Sequence, residues 1–265
     1  MTTPEIAVLV SSYQRPQHLS RVLHSIAAQQ NVDGRFEVVV TDDGSEDETH
    51  DIVLDFSREQ PFRVKLTTHP HETFQLARCR NEGARASTAP YLLFLDGDCL
   101  IPPDHLQRHL ARKRKGIVYA GYCALLAEDV SREVDIAAVR SGRFMELAIA
   151  SELKKLAKMD RKSRLYEFIR HPSKPKLFGG NVGIHRSDYE LINGYDEAFE
   201  AGGVRTMICG FGYGKLAYVS SRYSVGRGPI TYGIRRVRRP PMNGVREAML
   251  SEFGVREFRL AANEV

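Results

Sequence analysis

An apolar run gives way to acidic residues over residues 91–98, which read Tyr91-Leu92-Leu93-Phe94-Leu95-Asp96-Gly97-Asp98. Five consecutive apolar residues predict a strand that is buried on both faces, as the strands of parallel sheets are. Further strands are predicted at 6–10, 36–40 and 64–67, and apolar residues three and four apart predict helices between them. The order βαβαβαβ predicts an α/β fold with a Rossmann-like, doubly wound and mostly parallel sheet flanked by helices.

The pattern weakens after a fifth predicted strand at 117–120. Residues 128–170 predict charged helix, and we interpret their lysines and arginines as a solvated helix face rather than a phosphate- or membrane-binding surface. A short strand at 182–184 and a short helix at 187–192 complete the predicted domain, which covers residues 1–200.

The composition is typical of a globular protein with a core, since 42% of the 265 residues are hydrophobic and 27% are charged. Without an apolar run of about 18 residues, the sequence predicts no membrane span and at most peripheral membrane contact. The first five residues lack the pattern of a signal peptide. The cysteines show no CxxC spacing, so we expect a cytoplasmic protein with reduced thiols rather than disulfides or a zinc site; they are Cys79, Cys99, Cys123 and Cys209.

The net charge of +5 comes from the last quarter of the chain. Residues 201–265 contain 11 of the 38 basic residues and 4 of the 33 acidic residues, so they carry +7 while residues 1–200 carry −2. This segment also holds 10 of the 21 glycines. A nucleic-acid-binding function would depend on this arginine- and glycine-rich segment, which has no recognisable binding motif, so we expect no nucleic-acid partner.

Asp96 and Asp98 directly follow the fourth predicted strand, with Gly97 between them. Two carboxylates at this spacing can share one hard divalent cation, Mn²⁺ or Mg²⁺, which prefers oxygen ligands and completes its shell with water and substrate phosphates. The alternative is a polar turn, in which Asp and Gly are common. The position beyond the carboxyl end of a buried strand favours the cation, because ligands bind there in α/β sheets.

Two more polar clusters follow predicted strands, at 11–15 and 42–47. Each alone is interpreted as a turn or a helix N-cap. As a binding site, Asp42 could accept a hydrogen bond from a uracil imide or a sugar hydroxyl. Ser12 and Tyr13 could place an aromatic ring against a base, while Arg15 could reach a phosphate. Together, at adjacent strand ends, the clusters predict a nucleotide pocket.

Four segments carry a family resemblance: Val10-Ser11-Ser12-Tyr13-Gln14-Arg15, Asp42-Asp43-Gly44-Ser45, Arg80-Asn81-Glu82-Gly83 and Asp96-Gly97-Asp98. In this order and spacing they resemble the family 2 glycosyltransferases, which have the GT-A fold. Residues 178–197 resemble the acceptor-side segment of galactosyltransferase-type members. The resemblance covers nearly all of residues 5–200 and implies a nucleotide-binding half at about 1–120 and an acceptor-side half at about 121–200.

The resemblance also implies roles for individual residues. Ser12, Tyr13 and Asp42 would hold the base, and Arg80 would lie close to it or to the diphosphate. Asp96 would contact the ribose or sugar, and Asp98 would ligate the metal. Three further positions on the acceptor or donor-sugar side, together with Asp196, complete the implied site: Gly179, Gly180 and Asn181.

The implied reaction is a metal-dependent transfer, with inversion, of a sugar from a nucleoside diphosphate donor to an acceptor hydroxyl. We expect a UDP-sugar, with GDP and dTDP donors as alternatives, and a glycan, lipid-linked or small-molecule acceptor. The metal would neutralise charge on the leaving nucleoside diphosphate, and a carboxylate would deprotonate the acceptor. A nucleotidyltransferase would be expected to show a basic, glycine-rich loop after the first strand, where this chain has residues 11–15.

Residues 201–209 depart from the family pattern. The resembling enzymes continue with Gly-Trp-Gly and an acidic run that supplies the catalytic base, whereas this chain reads Ala-Gly-Gly-Val-Arg-Thr-Met-Ile-Cys. Reading each codon one nucleotide earlier permits an acidic run, and the codons of Met207 and Ile208 then force an Asp. We therefore predict a frameshift after Glu200, with a divergent basic C-terminus as the alternative. The catalytic base of this chain is unknown, which leaves a catalytically impaired nucleotide-sugar-binding protein as the alternative function.

Other candidate residues carry no predicted role. His105 and His109 are four residues apart without a third ligand, so we expect surface histidines. Cys99 is interpreted as a small packed residue.

Overall fold

The computed structural model describes residues 3–121, 123–169, 180–197 and 217–221. It contains a seven-stranded sheet in the order β3-β2-β1-β4-β6-β5-β7. Strands β1, β2, β3 and β4 are parallel, β6 runs antiparallel to its neighbours β4 and β5, and β7 is parallel to β5. The strands are β1 (Ile6–Ser12), β2 (Phe36–Asp42), β3 (Val64–Thr68), β4 (Tyr91–Asp96), β5 (Ile117–Gly121), β6 (Asn181–His185) and β7 (Ala217–Ser221).

Helices connect these strands and cover the sheet. They are α1 (Pro16–Ala27), α2 (Thr49–Glu59), α3 (Leu76–Ala86), α4 (His105–Arg112), α5 (Glu128–Glu133), α6 (Ile136–Arg140), a 3₁₀ helix (Arg143–Leu147), α7 (Ala150–Phe168) and α8 (Arg186–Leu191). The predicted α/β fold and its mostly parallel sheet are therefore confirmed. None of the described helices is long and apolar enough to cross a bilayer.

The core is divided by the sheet into two layers, because alternate residues of each buried strand point to opposite faces. Ile6, Val8 and Val10 of β1 pack in the layer that contains the apolar faces of α1 and α2. Ala7 and Leu9 pack in the other layer, with α3 and α8. Burial of a Val, Leu or Ile side chain stabilises the folded state by about 1.5–3 kcal/mol. The central strands are therefore well anchored, and the residues at their ends are held in fixed positions.

The charged region at 128–170, which is predicted to be helical, is divided into several helices over its described residues. Asp135 caps α6, because its side chain accepts a hydrogen bond from the backbone N–H of Ala138 at 2.6 Å. Helix α6 ends at Arg140, and Gly142, two residues later, has a φ of +76°. This left-handed conformation prevents the helix from continuing. The region is therefore a series of short helices followed by α7.

The prediction of surface histidines on α4 is wrong. His105 and His109 are 2% and 3% exposed and point into the sheet. His109 Nδ1 lies 3.0 Å from the Tyr91 hydroxyl, and His105 Nε2 lies 3.3 Å from Asn181 Oδ1. Burial lowers the pKa of His105 to about 4, so this side chain is neutral at neutral pH.

The predicted frameshift concerns residues that lie largely outside those described. Within the tail at 201–265, the structure describes Ala217–Ser221, which pairs with β5 as an edge strand. The remaining tail residues, and with them the expected site of the catalytic base after Glu200, lie outside the described part of the chain. The frameshift stays a prediction.

Candidate active site

The strand register brings the predicted site residues to one edge of the sheet. Ser12 pairs with Asp42, and Ser11 pairs with Asp96, at the carboxyl ends of β1, β2 and β4. We call this the carboxyl edge. Strands of one sheet lie about 4.8 Å apart, so residues 30 or more positions apart in sequence become neighbours here.

Asp42 organises the turn that follows β2. Its Oδ2 atom accepts hydrogen bonds from the Ser45 backbone N–H at 2.8 Å and from Thr68 Oγ1 at 3.2 Å. His50 Nε2 lies 2.9 Å from the same oxygen, and Ser45 Oγ donates to Oδ1 at 2.6 Å. The side chain is fully buried, its oxygens are engaged in these contacts, and its predicted role in binding a base stays a prediction.

A buried histidine lies between two carboxylates beside Asp42, and the sequence interpretation missed it. His69 Nε2 is 3.0 Å from Asp43 Oδ1, and His69 Nδ1 is 2.8 Å from Glu82 Oε2. Both nitrogens can donate only when the ring carries two protons. Burial would raise the pKa of Glu82, but hydrogen bonds from His69 and Arg78 outweigh it and lower that pKa. The ring therefore ties β2 to α3.

An aromatic pair lies over this cluster. The rings of Tyr13 and His71 are stacked, with centroids 4.1 Å apart and an interplanar angle of 14°. His71 Nδ1 is held 3.1 Å from the Asp43 carbonyl oxygen. Gly44 lies directly beneath, where a Cβ would come within 2.5 Å of the His71 backbone nitrogen. The close approach and the φ of +73° explain the glycine at this position.

Ser12 offers a buried polar atom at the same edge. Within the described residues, Ser12 Oγ has no hydrogen-bond partner although it is shielded from solvent. A buried hydroxyl without a partner costs about 1–3 kcal/mol. A ligand that hydrogen-bonds this hydroxyl would remove that cost.

Arg80 joins three parts of the site. It is 4% exposed, and its Nη2 atom donates to Asp96 Oδ1 at 2.8 Å. Its guanidinium carbon lies 5.0 Å from the centre of the Tyr195 ring. The arginine thus connects α3, the end of β4 and the segment after α8.

Asp98 lies at the open rim of the carboxyl edge. Its Oδ2 atom is 3.2 Å from Arg15 Nη1, and the two side chains are 45% and 63% exposed, respectively. An exposed ion pair contributes only about 0–1 kcal/mol, so both groups can turn to other partners at little cost. Ligand atoms of Asp96, Asp98 and Cys99 all lie within 4.8 Å of one another, a donor set that fits a divalent cation.

The residues predicted for the acceptor or donor-sugar side lie in different places. Gly180 approaches Asp96, where a Cβ would lie 2.8 Å from Oδ2. Asp196 lines a cavity of about 800 Å³ together with Asn81 and Arg85. Asn181 is instead buried and hydrogen-bonded to His105, and Gly179 lies outside the described residues.

Asn81 fixes the segment after α8, and no pattern in the sequence pointed to this role. Its Oδ1 atom accepts hydrogen bonds from the Tyr195 backbone N–H at 2.9 Å and from the Tyr189 hydroxyl. Its Nδ2 atom donates to the Tyr195 carbonyl at 2.9 Å and to Glu197 Oε1 at 2.6 Å. The neighbouring residues of α3, Arg80 and Asn81, therefore hold the end of β4 and the segment after α8 together.

Comparisons with known proteins find similar sequences and a similar fold among glycosyltransferases. Residues 7–186 match the family model described as Glycosyl transferase family 2. A stretch of 108 residues is 39% identical to validoxylamine A glucosyltransferase of Streptomyces hygroscopicus subsp. limoneus, covering 41% of this chain and 23% of that one. A stretch of 138 residues is 29% identical to the putative glycosyltransferase EpsH of Bacillus subtilis, covering 51% and 38%. The matched stretches therefore span less than two fifths of either relative.

A solved structure shows the same fold. The chain superposes on S. aureus TarS 1-349 in complex with UDP, with a TM-score of 0.50, 17% identity and coverage of 75% of this chain and 52% of that one. The family model ends at residue 186, so the galactosyltransferase-type resemblance of residues 178–197 stays a prediction.

Proposed function

Because the chain belongs to glycosyl transferase family 2, we propose that it transfers a sugar from a nucleoside diphosphate donor to an acceptor hydroxyl. The observation that carries the proposal is the carboxyl edge, where Asp96 and Asp98 meet Arg80 and Arg15 beside a shielded, unpartnered Ser12 hydroxyl. Carboxylates for a cation, an arginine for a phosphate and a polar atom for a base are the groups that such a donor requires.

The base of the donor would lie against Tyr13. The Tyr13–His71 stack offers a flat aromatic surface, and stacking on a base is favourable for any nucleobase. Ser12 Oγ would then accept a hydrogen bond from the nucleoside. Asp42 would hold the turn beside the pocket in place through its hydrogen bonds to Ser45 and Thr68. UDP is the proposed nucleotide.

The diphosphate would lie at the rim. Asp98, with Asp96 beside it, would hold Mn²⁺ or Mg²⁺, which when bound neutralises charge on the leaving nucleoside diphosphate. Arg15 would exchange its exposed contact with Asp98 for a phosphate oxygen. Arg80, buried and already bound to Asp96, would keep that carboxylate oriented rather than move.

A transfer with inversion also needs a base for the acceptor hydroxyl, and that group decides between two functions. The expected position follows Glu200, in the part of the chain where residues 201–209 contain no acidic residue. That observation favours the second candidate, a nucleotide-sugar-binding protein with impaired transfer. Loss of a general base commonly lowers the rate about 10²–10⁴-fold.

Release of UDP from a panel of UDP-sugars in the presence of Mn²⁺ tests the proposal. The transferase predicts release that falls in Asp98→Ala and is unchanged in Asp55→Ala, a matched removal of an exposed carboxylate on α2. Binding of UDP without release would identify the impaired protein. Neither binding nor release with any nucleoside diphosphate would contradict both candidates, and sequencing the genomic DNA around codon 200 would test the frameshift separately.

A further inference from the structure

Two cysteines that are 24 residues apart meet beside the aspartates. The Sγ atoms of Cys99 and Cys123 lie 3.5 Å apart. Cys99 follows β4 and Cys123 follows β5, and both strands run antiparallel to β6, which lies between them. The carboxyl ends of β4 and β5 therefore point to the same edge of the sheet, so the fold itself brings the two thiols together.

Asp96 and Asp98 lie close to Cys99, and each has one carboxylate oxygen that Arg80 or Arg15 does not contact. Arg80 contacts Oδ1 of Asp96, and Arg15 contacts Oδ2 of Asp98. Oδ1 of Asp98 lies 3.8 Å from Cys99 Sγ. A Cβ on Gly180 would lie 2.8 Å from Asp96 Oδ2 and 3.5 Å from Cys99 Sγ, so the glycine keeps the space between these groups free of a side chain.

We propose that Cys99, Cys123 and Asp98, supported by Asp96, form a binding site for a thiophilic divalent cation such as Zn²⁺ or Cd²⁺. The site overlaps the one proposed for the cation of the nucleotide but does not depend on it, because a thiophilic ion would bind whether or not the chain takes a nucleotide. Each thiol loses its proton as its metal–sulfur bond forms, so binding releases two protons to solvent.

The two distances measured from Cys99 fit one tetrahedral ion. With metal–sulfur bonds of about 2.3 Å and metal–oxygen bonds of about 2.1 Å, tetrahedral geometry separates two sulfurs by about 3.8 Å and a sulfur from an oxygen by about 3.6 Å. The observed separations are 3.5 Å for Cys99 and Cys123 and 3.8 Å for Cys99 and Asp98. Both separations involve Cys99, and a rotation of the exposed Cys123 side chain that brings its sulfur closer to Asp98 would complete the site.

Ligand chemistry determines which ion binds. Thiolates select Zn²⁺ and other soft ions, whereas Mg²⁺ and Mn²⁺ prefer carboxylate and water oxygens. A thiophilic ion would occupy Asp98 and thereby exclude the harder cation from it. Sugar transfer, if the chain performs it, should therefore be inhibited by Zn²⁺ at concentrations where Mg²⁺ supports it.

A second cluster is a weaker candidate. Ligand atoms of Asp43, His69 and Cys79 also lie within 4.8 Å of one another. Both nitrogens of His69 are already within hydrogen-bond distance of carboxylates, and all three residues are buried. An ion there would have to break those contacts, whereas the thiol pair lies at the open rim.

Titration of the reduced full chain with Cd²⁺, in a phosphine reductant, tests the proposal through the ultraviolet absorption of cadmium–thiolate bonds. The wild-type chain should show this absorption, saturating at one ion per chain. Cys99→Ser and Cys123→Ser should each weaken Cd²⁺ binding at least about 100-fold. Loss of a residue that only hydrogen-bonds to a metal ligand already lowers metal affinity about 10- to 100-fold. Cys79→Ala is the matched control and should retain the signal.

X-ray absorption of the Zn²⁺-loaded wild-type chain gives a second readout that needs no variant, and two sulfur neighbours are expected. Absence of the absorption, its persistence in Cys123→Ser, or its loss in Cys79→Ala alone would overturn the proposal. Calorimetry with UDP and Mn²⁺ on the same samples separates it from the proposed function. Cadmium–thiolate absorption without UDP binding would contradict the proposed transferase function and support the thiol site.

Discussion

Asn81 should be one of the most costly polar side chains to remove. It is 8% exposed and exchanges two hydrogen bonds with the Tyr195 backbone and a third with the Tyr189 hydroxyl. Each buried hydrogen bond contributes about 1 kcal/mol net, so Asn81→Ala should lower the free energy of unfolding by about 3 kcal/mol. The fourth bond, to the partly exposed Glu197, adds little.

Denaturant unfolding measures this loss. A decrease of about 3 kcal/mol corresponds to a Tm that is about 6–12 °C lower for a chain of this size. Arg85→Ala is the matched control, because Arg85 lies on the same helix, is exposed and makes one 3.5 Å contact with Glu197. It should change stability by no more than about 0.5 kcal/mol. Equal midpoints for Asn81→Ala and Arg85→Ala would refute the idea that Asn81 anchors the segment after α8.

Three further predictions follow from other parts of the molecule. The pKa of His105 is lowered to about 4 by burial, so the folded state loses stability as pH falls from about 6.5 towards 4, by up to about 3 kcal/mol. His105→Gln should reduce this slope in denaturation curves recorded across that range, while the buried His109, whose pKa is also lowered by burial, supplies the remainder. An unchanged slope would contradict the assignment. Gly183→Ala would place a Cβ 2.2 Å from the Tyr91 hydroxyl and should cost about 1–3 kcal/mol. Gly116→Ala has open space but a φ of +77° and should cost about 1 kcal/mol, and the opposite ranking of the two Tm values would be a failure of the packing argument. Tyr13→Ala should weaken UDP binding roughly tenfold while Tyr13→Phe retains it, and calorimetry showing equal loss in both would exclude stacking.

The central strands could be predicted from sequence because their signal is local. The apolar run at 91–95 determines β4, and similar runs determine β1 and β2. Their polar ends indicated the carboxyl edge, since parallel strands end together. The pairing of Arg15 with Asp98 and of Arg80 with Asp96 joins residues that the motifs had already singled out.

Long-range packing is what the sequence could not supply. His105 and His109 look like surface residues on a charged helix, and they are buried because Tyr91 and Asn181 on neighbouring strands provide partners. Sequence spacing alone contains no information about such partners.

The thiol pair was missed for a related reason. Cys99 and Cys123 meet because β6, which comes later in the chain, inserts between β4 and β5. That strand order cannot be read from the order of the elements along the sequence. Likewise, the contacts of Asn81 join residues more than 100 positions apart.

Calorimetric titration of UDP in the presence of Mn²⁺, on the wild-type chain and on Asp98→Ala, tests most directly whether the carboxyl edge is a cation-dependent nucleotide site. We expect wild-type binding in the micromolar to millimolar range that requires the metal and is clearly weakened in Asp98→Ala, because Asp98 is the exposed carboxylate at the rim. Equal affinity in the two proteins, or no binding of any nucleoside diphosphate with or without metal, would contradict the account.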